Sequence, residues 1–425
     1  MFNITVFFII MLIIWLTLVS LPTRDFVAPD FVFTSSMLIC SFFYILLGEY
    51  WGSDISNDTF QIMLLGSCLF IICSYIIRSN IIFKQKSRCI TDIAFRESYV
   101  NARILKCIIF FSIFLMICSF VKIDEVGGVS VYRDLRNHGL LQGQFWTNQL
   151  SKLLSASALV LAYIVLYYKV HKWNLKNSNS VMATSIISMM ACFFYSMGRM
   201  VIIEFFLSII IMHILLLYSI SRPVPLKKYL QYSIFFILCI PFFYYSSTFV
   251  GRNMVNVSQY SPIFYVGRYL SCGIDFFNDI VSSNYHTQYF GQASFAAIYA
   301  KFFIDIILPA NTENFVYHFF STKYGNTLTI FGRWYEDFYI IGVYMMTSIV
   351  SILYAIYYKF YVSIKYNFDN FHIIIYSVIL QVLVLAGYDD RFMHLISLNF
   401  ASRVMLIYIV YTILAKPLLR EKNEH

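Results

Sequence analysis

The chain has 425 residues, of which 60% are hydrophobic, 19% aromatic and only 12% charged, and its formal net charge is +9. This small number of polar residues could not cover the surface of a soluble fold of this length. The composition therefore excludes a soluble globular protein and favours a bilayer protein. The basic residues are divided between the two sides of the predicted membrane, and the positive charge therefore does not indicate nucleic-acid binding.

Apolar stretches of roughly 20 residues, the length that a membrane-spanning helix needs, recur along the chain. Eleven segments fit, within a range of ten to twelve helices: 3–21, 31–48, 60–77, 104–121, 150–168, 181–198, 200–219, 229–248, 338–358, 371–387 and 396–415. The first segment has no cationic leader and no small-residue cleavage site, which predicts a retained helix rather than a signal peptide. The predicted fold is an all-α polytopic membrane protein, with residues 1–425 in a single integral membrane domain.

Cysteine and histidine show no metal-binding or disulfide pattern. Seven of the nine cysteines lie inside predicted spans, and Cys89 and Cys272 fall in loops on opposite sides. The histidines of the predicted external loops have no partner at metal-ligand spacing: His138, His286, His318 and His394. The sequence therefore predicts no metal site and no cofactor.

Lysine and arginine concentrate in alternate loops, which the positive-inside rule assigns to the cytoplasm. These basic segments are 78–103, 169–176, 222–228, the stretch from Lys359 to Lys365, and the C-terminus. Two predicted crossings separate each from the next, and counting back from 78–103 places the N-terminus outside. The same parity places outside the segments 49–59, 122–149, the turn at Gly198-Arg199, and 387–395.

The largest predicted external loop covers residues 251–337. It is rich in aromatic residues and is neither low-complexity nor Pro/Gly-rich, so it is expected to be folded and functional. Its apolar stretch 294–308 contains Lys301 and Asp305, and counting it as a span would place the basic C-terminus outside. This stretch is therefore predicted to be an amphipathic helix at the membrane surface.

Arginine is scarce on the external side of membrane proteins, yet this chain places several there. Four follow a glycine, and three more lie in other external segments: Arg199, Arg252, Arg268 and Arg333, then Arg133 and Arg136 in VYRDLRNHG and Arg391 in GYDDRF. The planar guanidinium binds phosphate or carboxylate through two parallel hydrogen bonds. The pattern predicts an anionic, lipid-linked substrate.

Pairing with a nearby acid is the alternative for each arginine. The sequence neighbours allow Arg133 or Arg136 with Asp134, Arg391 with Asp389 or Asp390, and Arg333 with Glu336 or Asp337. Arg252 and Arg268 have no acid within six residues, which favours ligand binding for these two. Glu204 follows Arg199 within about one turn, and it is either that arginine's ion-pair partner or a base that accepts a proton from a hydroxyl.

The order of the spans, the large loop between the eighth and ninth spans, the hairpin SMGRMVIIEFFLSIIIMHILLL and the sequence NTLTIFGRWYEDFYIIGVYMM resemble the Wzy-type O-antigen polymerases. These enzymes join oligosaccharide repeat units at the bacterial inner membrane. The resemblance covers the architecture of nearly the whole chain and implies a fold similar to the C-type glycosyltransferases, multi-pass in the inner (cytoplasmic) membrane, with a chain-length regulator as a partner protein.

The resemblance also implies a reaction on the periplasmic face. A glycan on undecaprenyl diphosphate is transferred to the non-reducing end of a new lipid-linked repeat unit, in lipopolysaccharide or related polysaccharide biosynthesis, and the lipid diphosphate leaves. The implied diphosphate-binding residues are Arg199, Arg252, Arg268, Arg333, Arg133 and Arg136. The candidates for the base, in falling order of preference, are Glu204, Asp337 and His286. A lipid-linked oligosaccharide flippase and an O-antigen ligase are the alternative functions.

Overall fold

The structure is a computed structural model that describes residues 1–21, 25–52, 54–79, 97–137, 140–141, 143–219, 226–249, 261–287, 291, 293–295, 328–363 and 370–419. The helices of its first half are α1 (Phe2–Ser20), α2 (Pro29–Leu46), α3 (Gly48–Trp51), α4 (Asn57–Arg78), α5 (Ala102–Glu125), α6 (Val129–Asn137), α7 (Gln144–His171) and α8 (Ser178–Ser196). Those of the second half are α9 (Arg199–Ser219), α10 (Leu226–Phe249), α11 (Pro262–Ser283), α12 (Ile330–Tyr357), α13 (Asn370–Val384), α14 (Phe392–Leu395), α15 (Leu398–Val410) and α16 (Lys416–Leu419). Short π-helical turns follow α12 and α15, at Tyr358–Val362 and Tyr411–Ala415.

Nine of the described helical segments are long and apolar enough to cross a membrane. They correspond to α1, α2, α4, α5, α7, α8, α9, α12 and α15, the last two with the turns that follow them. This confirms the prediction of an all-α polytopic membrane protein, whereas the count of eleven spans stays a prediction. The other two predicted spans coincide with α10, of 24 residues, and with α13, of only 15.

The chain divides into two compact units. Unit 1 comprises Met1–Ser87, Ile263–Asn367 and Ile379–Ala401, and unit 2 comprises Arg88–Pro262, Phe368–Val378 and Ser402–His425. Both α13 and α15 therefore contribute residues to each unit. The prediction of a single integral membrane domain is not tested by this division.

Small side chains allow α5, α7 and α8 to pack closely in unit 2. The Ser185 hydroxyl of α8 donates a hydrogen bond of 2.7 Å to the backbone oxygen of Ala158 in α7. The hydroxyl of Ser112 in α5 donates to that of Ser188 in α8 over 3.2 Å. Serine and alanine at such contacts bring helix backbones together in a bilayer, where apolar burial gives little driving force.

Short connections between helices lie at the two ends of unit 2. At one end Met197 ends α8 in the left-handed region, with φ of 47°, and Arg199 begins α9, which confirms a tight turn at Gly198-Arg199. At the other end the strands β1 (Glu97–Ser98) and β2 (Asn174–Leu175) pair in parallel, with Glu97 opposite Asn174. Both strands lie in segments that the charge pattern predicts to be cytoplasmic.

In unit 1, α4 of 22 residues is about 33 Å long, and its two ends contact different parts of the chain. Next to its first residue, the N-terminal amine of Met1 lies 3.0 Å from the Asp54 carboxylate. At its last residue, the Arg78 guanidinium lies 2.8 Å from the buried Asp30 carboxylate. Met1 and Asp54 therefore lie at the same end of the unit. This agrees with the predicted topology, in which the N-terminus and segment 49–59 are on the same side of the membrane.

The chain reverses direction inside α12. Phe331 packs against Gly66 in the middle of α4, and the Ser351 hydroxyl donates to the backbone oxygen of Phe70, only four residues further along α4. Twenty residues of straight helix would separate Phe331 from Ser351 by about 30 Å. The reversal occurs at Tyr339, whose φ of 57° and ψ of −160° are not helical. We call residues 330–338 the short limb and residues 340–357 the long limb of α12.

Gly342 makes this reversal possible. A Cβ at this position would lie 2.0 Å from the Cβ of Phe338 and 3.0 Å from the backbone oxygen of Trp334. The long limb matches the predicted span 338–358. The short limb falls within the predicted external loop 251–337, whose position stays a prediction, and residues 330–337 form a helix inside unit 1. Nine residues are too few for a hydropathy pattern to reveal such a limb.

Segment 328–330, which leads into α12, pairs with the non-helical segment 385–391 inside unit 1. The backbone N–H of Ile330 donates to the oxygen of Ala386 over 2.9 Å, and that of Asp390 donates to the oxygen of Leu328 over 2.8 Å. The N–H of Gly387 donates to the hydroxyl of Ser36 in α2. We call these the paired segments. Irregular backbone within a membrane protein must be satisfied by protein in this way.

Among the described residues of the predicted loop 251–337, α11 is a further helix, and it packs within unit 1. The Tyr44 hydroxyl of α2 donates to the Asp275 carboxylate over 3.4 Å, and the N–H of Ser56 donates to the Asn278 side chain over 2.8 Å. The helix predicted at 294–308 lies outside the described residues, apart from residues 294 and 295.

Candidate functional site

A cavity of about 180 Å³ opens at one end of unit 2. Its lining includes three cationic side chains, one carboxylate and one tyrosine: Arg136, Lys152, Arg403, Glu204 and Tyr195. Glu204 stands near the start of α9, Arg403 near the start of α15 and Lys152 in the third turn of α7. These helix ends adjoin segments that the parity argument predicts to be external. The cavity therefore offers a positively charged, partly enclosed space at the predicted outer edge of the membrane.

Aromatic packing positions Arg136. Its guanidinium lies 5.5 Å from the centre of the Tyr195 ring, and its backbone oxygen accepts a 2.6 Å hydrogen bond from the Gln144 side chain. The buried Tyr132 hydroxyl donates to the backbone oxygen of Tyr195, so α6 is attached to α8. Burial raises the pKa of Tyr132, which keeps this hydroxyl a neutral donor. Contact with the aromatic ring holds the Arg136 guanidinium at the wall of the cavity.

Lys152 and Arg403 bring two more cations to the same wall. The Lys152 ammonium donates over 3.2 Å to the hydroxyl of Ser402, the residue before Arg403. The Arg403 Nε is buried and donates no hydrogen bond to any described residue. A buried donor without an acceptor destabilises the folded protein unless a ligand or a water molecule accepts its hydrogen bond. Because Arg403 also lines the cavity, its guanidinium is a candidate partner for an anionic ligand there.

Glu204 and Arg199 have different surroundings, although they lie close in sequence. Arg199 is 5% exposed, its guanidinium stands 3.9 Å from the centre of the Phe243 ring, and it donates to the Phe243 backbone oxygen. Glu204 lines the cavity and Arg199 does not. Both roles considered for Glu204, proton acceptor and ion-pair partner of Arg199, therefore stay predictions.

Three other predicted arginines pair with acids. Arg133 lies 3.3 Å from Asp134 and Arg391 lies 2.8 Å from Asp389, as the sequence alternatives allowed. The Arg333 Nε lies 3.9 Å from the Asp390 carboxylate, so the expected pairing with Glu336 or Asp337 is corrected. The reason is the pairing of the segments 328–330 and 385–391, which brings Asp390 close to the short limb of α12.

Asp337 and His286, the other candidate bases, lie in unit 1 and have structural contacts. Asp337 accepts hydrogen bonds from the Thr287 hydroxyl at 2.7 Å and from the N–H of Ala293 at 3.0 Å and of Ser294 at 2.5 Å. These three donors hold the Asp337 carboxylate against residues 287, 293 and 294. His286 contacts the rings of Tyr335 and Tyr339, and burial lowers its pKa.

The predicted site residues are thus divided between the units. Arg136 and Glu204 line the cavity of unit 2, whereas Arg333, Asp337 and His286 belong to unit 1. Arg268 also belongs to unit 1, on α11, where it is 5% exposed and stands 5.8 Å from the centre of the Tyr265 ring. Arg252 and His138 lie outside the described residues, so their predicted roles are not tested.

Lys152 and Arg403 were not predicted as site residues. Each stands inside a predicted span, 150–168 or 396–415, and a cation within a span is itself a signal of function. Within the described part of the chain, no group of three or more His, Cys, Asp or Glu side chains could hold a metal ion. Comparison with known protein families, curated proteins and solved structures finds no match for this chain.

Proposed function

We propose that this protein polymerises undecaprenyl-diphosphate-linked oligosaccharide repeat units on the outer face of a bacterial inner membrane. The observation that carries the proposal is the cavity of unit 2, in which Arg136, Lys152 and Arg403 surround a space that Glu204 also lines. The three cations and single carboxylate leave a surplus of positive charge, which suits a diphosphate ligand. The choice of a lipid-linked substrate rests on the motifs that resemble those of O-antigen polymerases.

The residues of the cavity match the needs of glycosyl transfer. An acceptor hydroxyl attacks the anomeric carbon of the donor glycan, and the carbon–oxygen bond to the diphosphate breaks with its electron pair going to the diphosphate. The three cations stabilise the negative charge that develops there. Glu204 accepts the proton of the attacking hydroxyl. No nucleotide sugar takes part, because the site faces away from the cytoplasm.

A lipid-linked oligosaccharide flippase is the second candidate, because Lys152, Glu204 and Arg403 lie on helices that line a cavity, as transporter charges do. A ligase would use the same chemistry as a polymerase with a different acceptor. The three functions differ in what accumulates when the protein is missing.

The lipopolysaccharide pattern of a strain that lacks this protein distinguishes them on a gel. Loss of a polymerase should leave lipid A-core carrying a single repeat unit, because one unit is still transferred to core without chain extension. Loss of a flippase or a ligase should leave bare core, and this result, or an unchanged ladder, would refute the proposal. Expression of the intact gene from a plasmid should restore the ladder and serves as the control.

A further inference from the structure

Unit 1 buries more negative than positive charge around the paired segments. Asp390 is 1% exposed and Glu336 is 2% exposed, whereas Arg333, the cation that acts on both, is 31% exposed. Asp390 and Glu336 also act electrostatically on each other. One arginine therefore stands against two buried carboxyl groups.

Among the described residues, Asp389 and Asp337 add further negative charge near this pair, although each has partners of its own. Asp389 is paired with Arg391 at 2.8 Å, and Asp337 accepts the three hydrogen bonds described above. Tyr354 lies on the long limb of α12, and Asp390 acts on it electrostatically. Its hydroxyl donates a hydrogen bond to the backbone oxygen of Ile379. None of these groups supplies a second cation for Asp390 and Glu336.

Both carboxyl groups also have an oxygen without a donor. The Oδ1 of Asp390 accepts a hydrogen bond of 3.0 Å from the N–H of Phe392. Its Oδ2 lies 3.9 Å from the Arg333 Nε, which is too far for a hydrogen bond. The Oε2 of Glu336 is buried and accepts none from the described residues. Two ionised carboxylates at this depth would carry a large desolvation cost that one arginine offsets only in part.

We propose that unit 1 binds one exchangeable proton, carried by either Asp390 or Glu336. With this proton the charge of one carboxyl is removed, and Arg333 balances the other. The proton enters from solvent and leaves to it, and no other co-reactant is needed. The proposal is independent of the function of the unit 2 cavity, because none of these residues lines that cavity.

The environment of Asp390 supports this proposal. Burial raises the pKa of the Asp390 carboxyl to about 6, although Arg333 and the N–H of Phe392 act in the opposite direction. An acid whose pKa is higher in the folded than in the unfolded protein stabilises the fold fully below its unfolded pKa, here near 3.8, and loses that contribution as the pH rises through about 6. Stability should therefore be greater at pH 5 than at pH 8.

The test measures the melting temperature of the purified full-length protein in detergent at these two values of pH. The wild type should melt at a lower temperature at pH 8 than at pH 5. Asp390→Asn and Glu336→Gln should each remove most of this difference and match or exceed the wild type at pH 8, because either change leaves one carboxylate facing Arg333. The double variant should melt lower than either single variant at both pH values, because Arg333 then has no counter-charge.

Glu49→Gln is the control, since Glu49 is an exposed carboxylate of unit 1 that does not act on Asp390 or Glu336, and this variant should retain the pH difference of the wild type. Infrared spectra recorded over a range of pH provide a second measurement, of carboxyl protonation. A protonated carboxyl band should disappear from the wild type as the pH rises, and should be absent from both single variants. An equal melting temperature of the wild type at both pH values would overturn the proposal. So would single variants that keep the difference, or a loss of stability on removal of Na⁺, which would assign the charge balance to a metal ion.

Discussion

Glu204→Gln should abolish polysaccharide chain extension while the protein still inserts in the membrane at its normal level. Glutamine keeps the shape of the side chain and most of its hydrogen bonds but cannot accept the proton of an attacking hydroxyl. Among the described residues that line the cavity of unit 2, Glu204 is the one carboxylate, so none of the others can replace it as a base. In a strain that lacks the chromosomal gene, the variant should give core plus one repeat unit and no ladder.

Protein abundance separates this role from a structural one. If Glu204 instead only balances Arg199, Glu204→Gln should lower protein abundance along with activity, because a buried arginine would lose its partner. Glu125→Gln is the control, since Glu125 is 52% exposed and pairs with Lys122 at the same predicted end of unit 2. This change should leave the ladder intact. A normal ladder at normal abundance of Glu204→Gln would rule out both roles for Glu204.

Arg403→Ala should slow polymerisation by about tenfold to a hundredfold. A charge-assisted hydrogen bond to a phosphate contributes roughly 1.5 to 3 kcal/mol, and each 1.4 kcal/mol corresponds to about a factor of ten in rate. Arg403→Lys keeps the charge but loses the planar fork and the Nε donor, so it should restore activity only in part. The measurement is the rate of chain extension at matched protein level.

Lys122→Ala is the control for Arg403, because Lys122 is an exposed cation at the same predicted end of unit 2 and does not line the cavity. It should polymerise at the wild-type rate. Full activity of Arg403→Ala would show that this arginine does not contact the diphosphate. Equal losses in both variants would point to the overall surface charge rather than to the cavity.

Hydropathy and the position of basic residues predicted most of the helices, because a membrane-spanning helix must be apolar over a fixed length. The tight turn at Gly198-Arg199 was predicted for the same reason, since only a few residues separate two apolar runs. The short limb of α12 could not be predicted. It is only nine residues long, and its direction depends on a single non-helical residue, Tyr339.

The candidate site was predicted only in part. Arg136 and Glu204 were found because charged residues are conspicuous in or beside apolar runs, but the spacing in sequence gave no indication that α6, α7, α9 and α15 converge on one cavity. Lys152 and Arg403 come from distant spans, so only tertiary structure reveals that they share a wall. The contact between Arg333 and Asp390 depends likewise on two segments more than fifty residues apart.

The most direct test of the proposed function is the release of lipid diphosphate by the purified protein in liposomes supplied with the lipid-linked repeat unit. If the protein is a polymerase, free undecaprenyl diphosphate should appear in step with longer lipid-linked chains, one molecule for each unit added, without a nucleotide sugar, and Glu204→Gln should show neither product. Movement of the lipid-linked repeat unit across the bilayer with no release of lipid diphosphate and no longer chains would contradict the proposal and assign the cavity to transport.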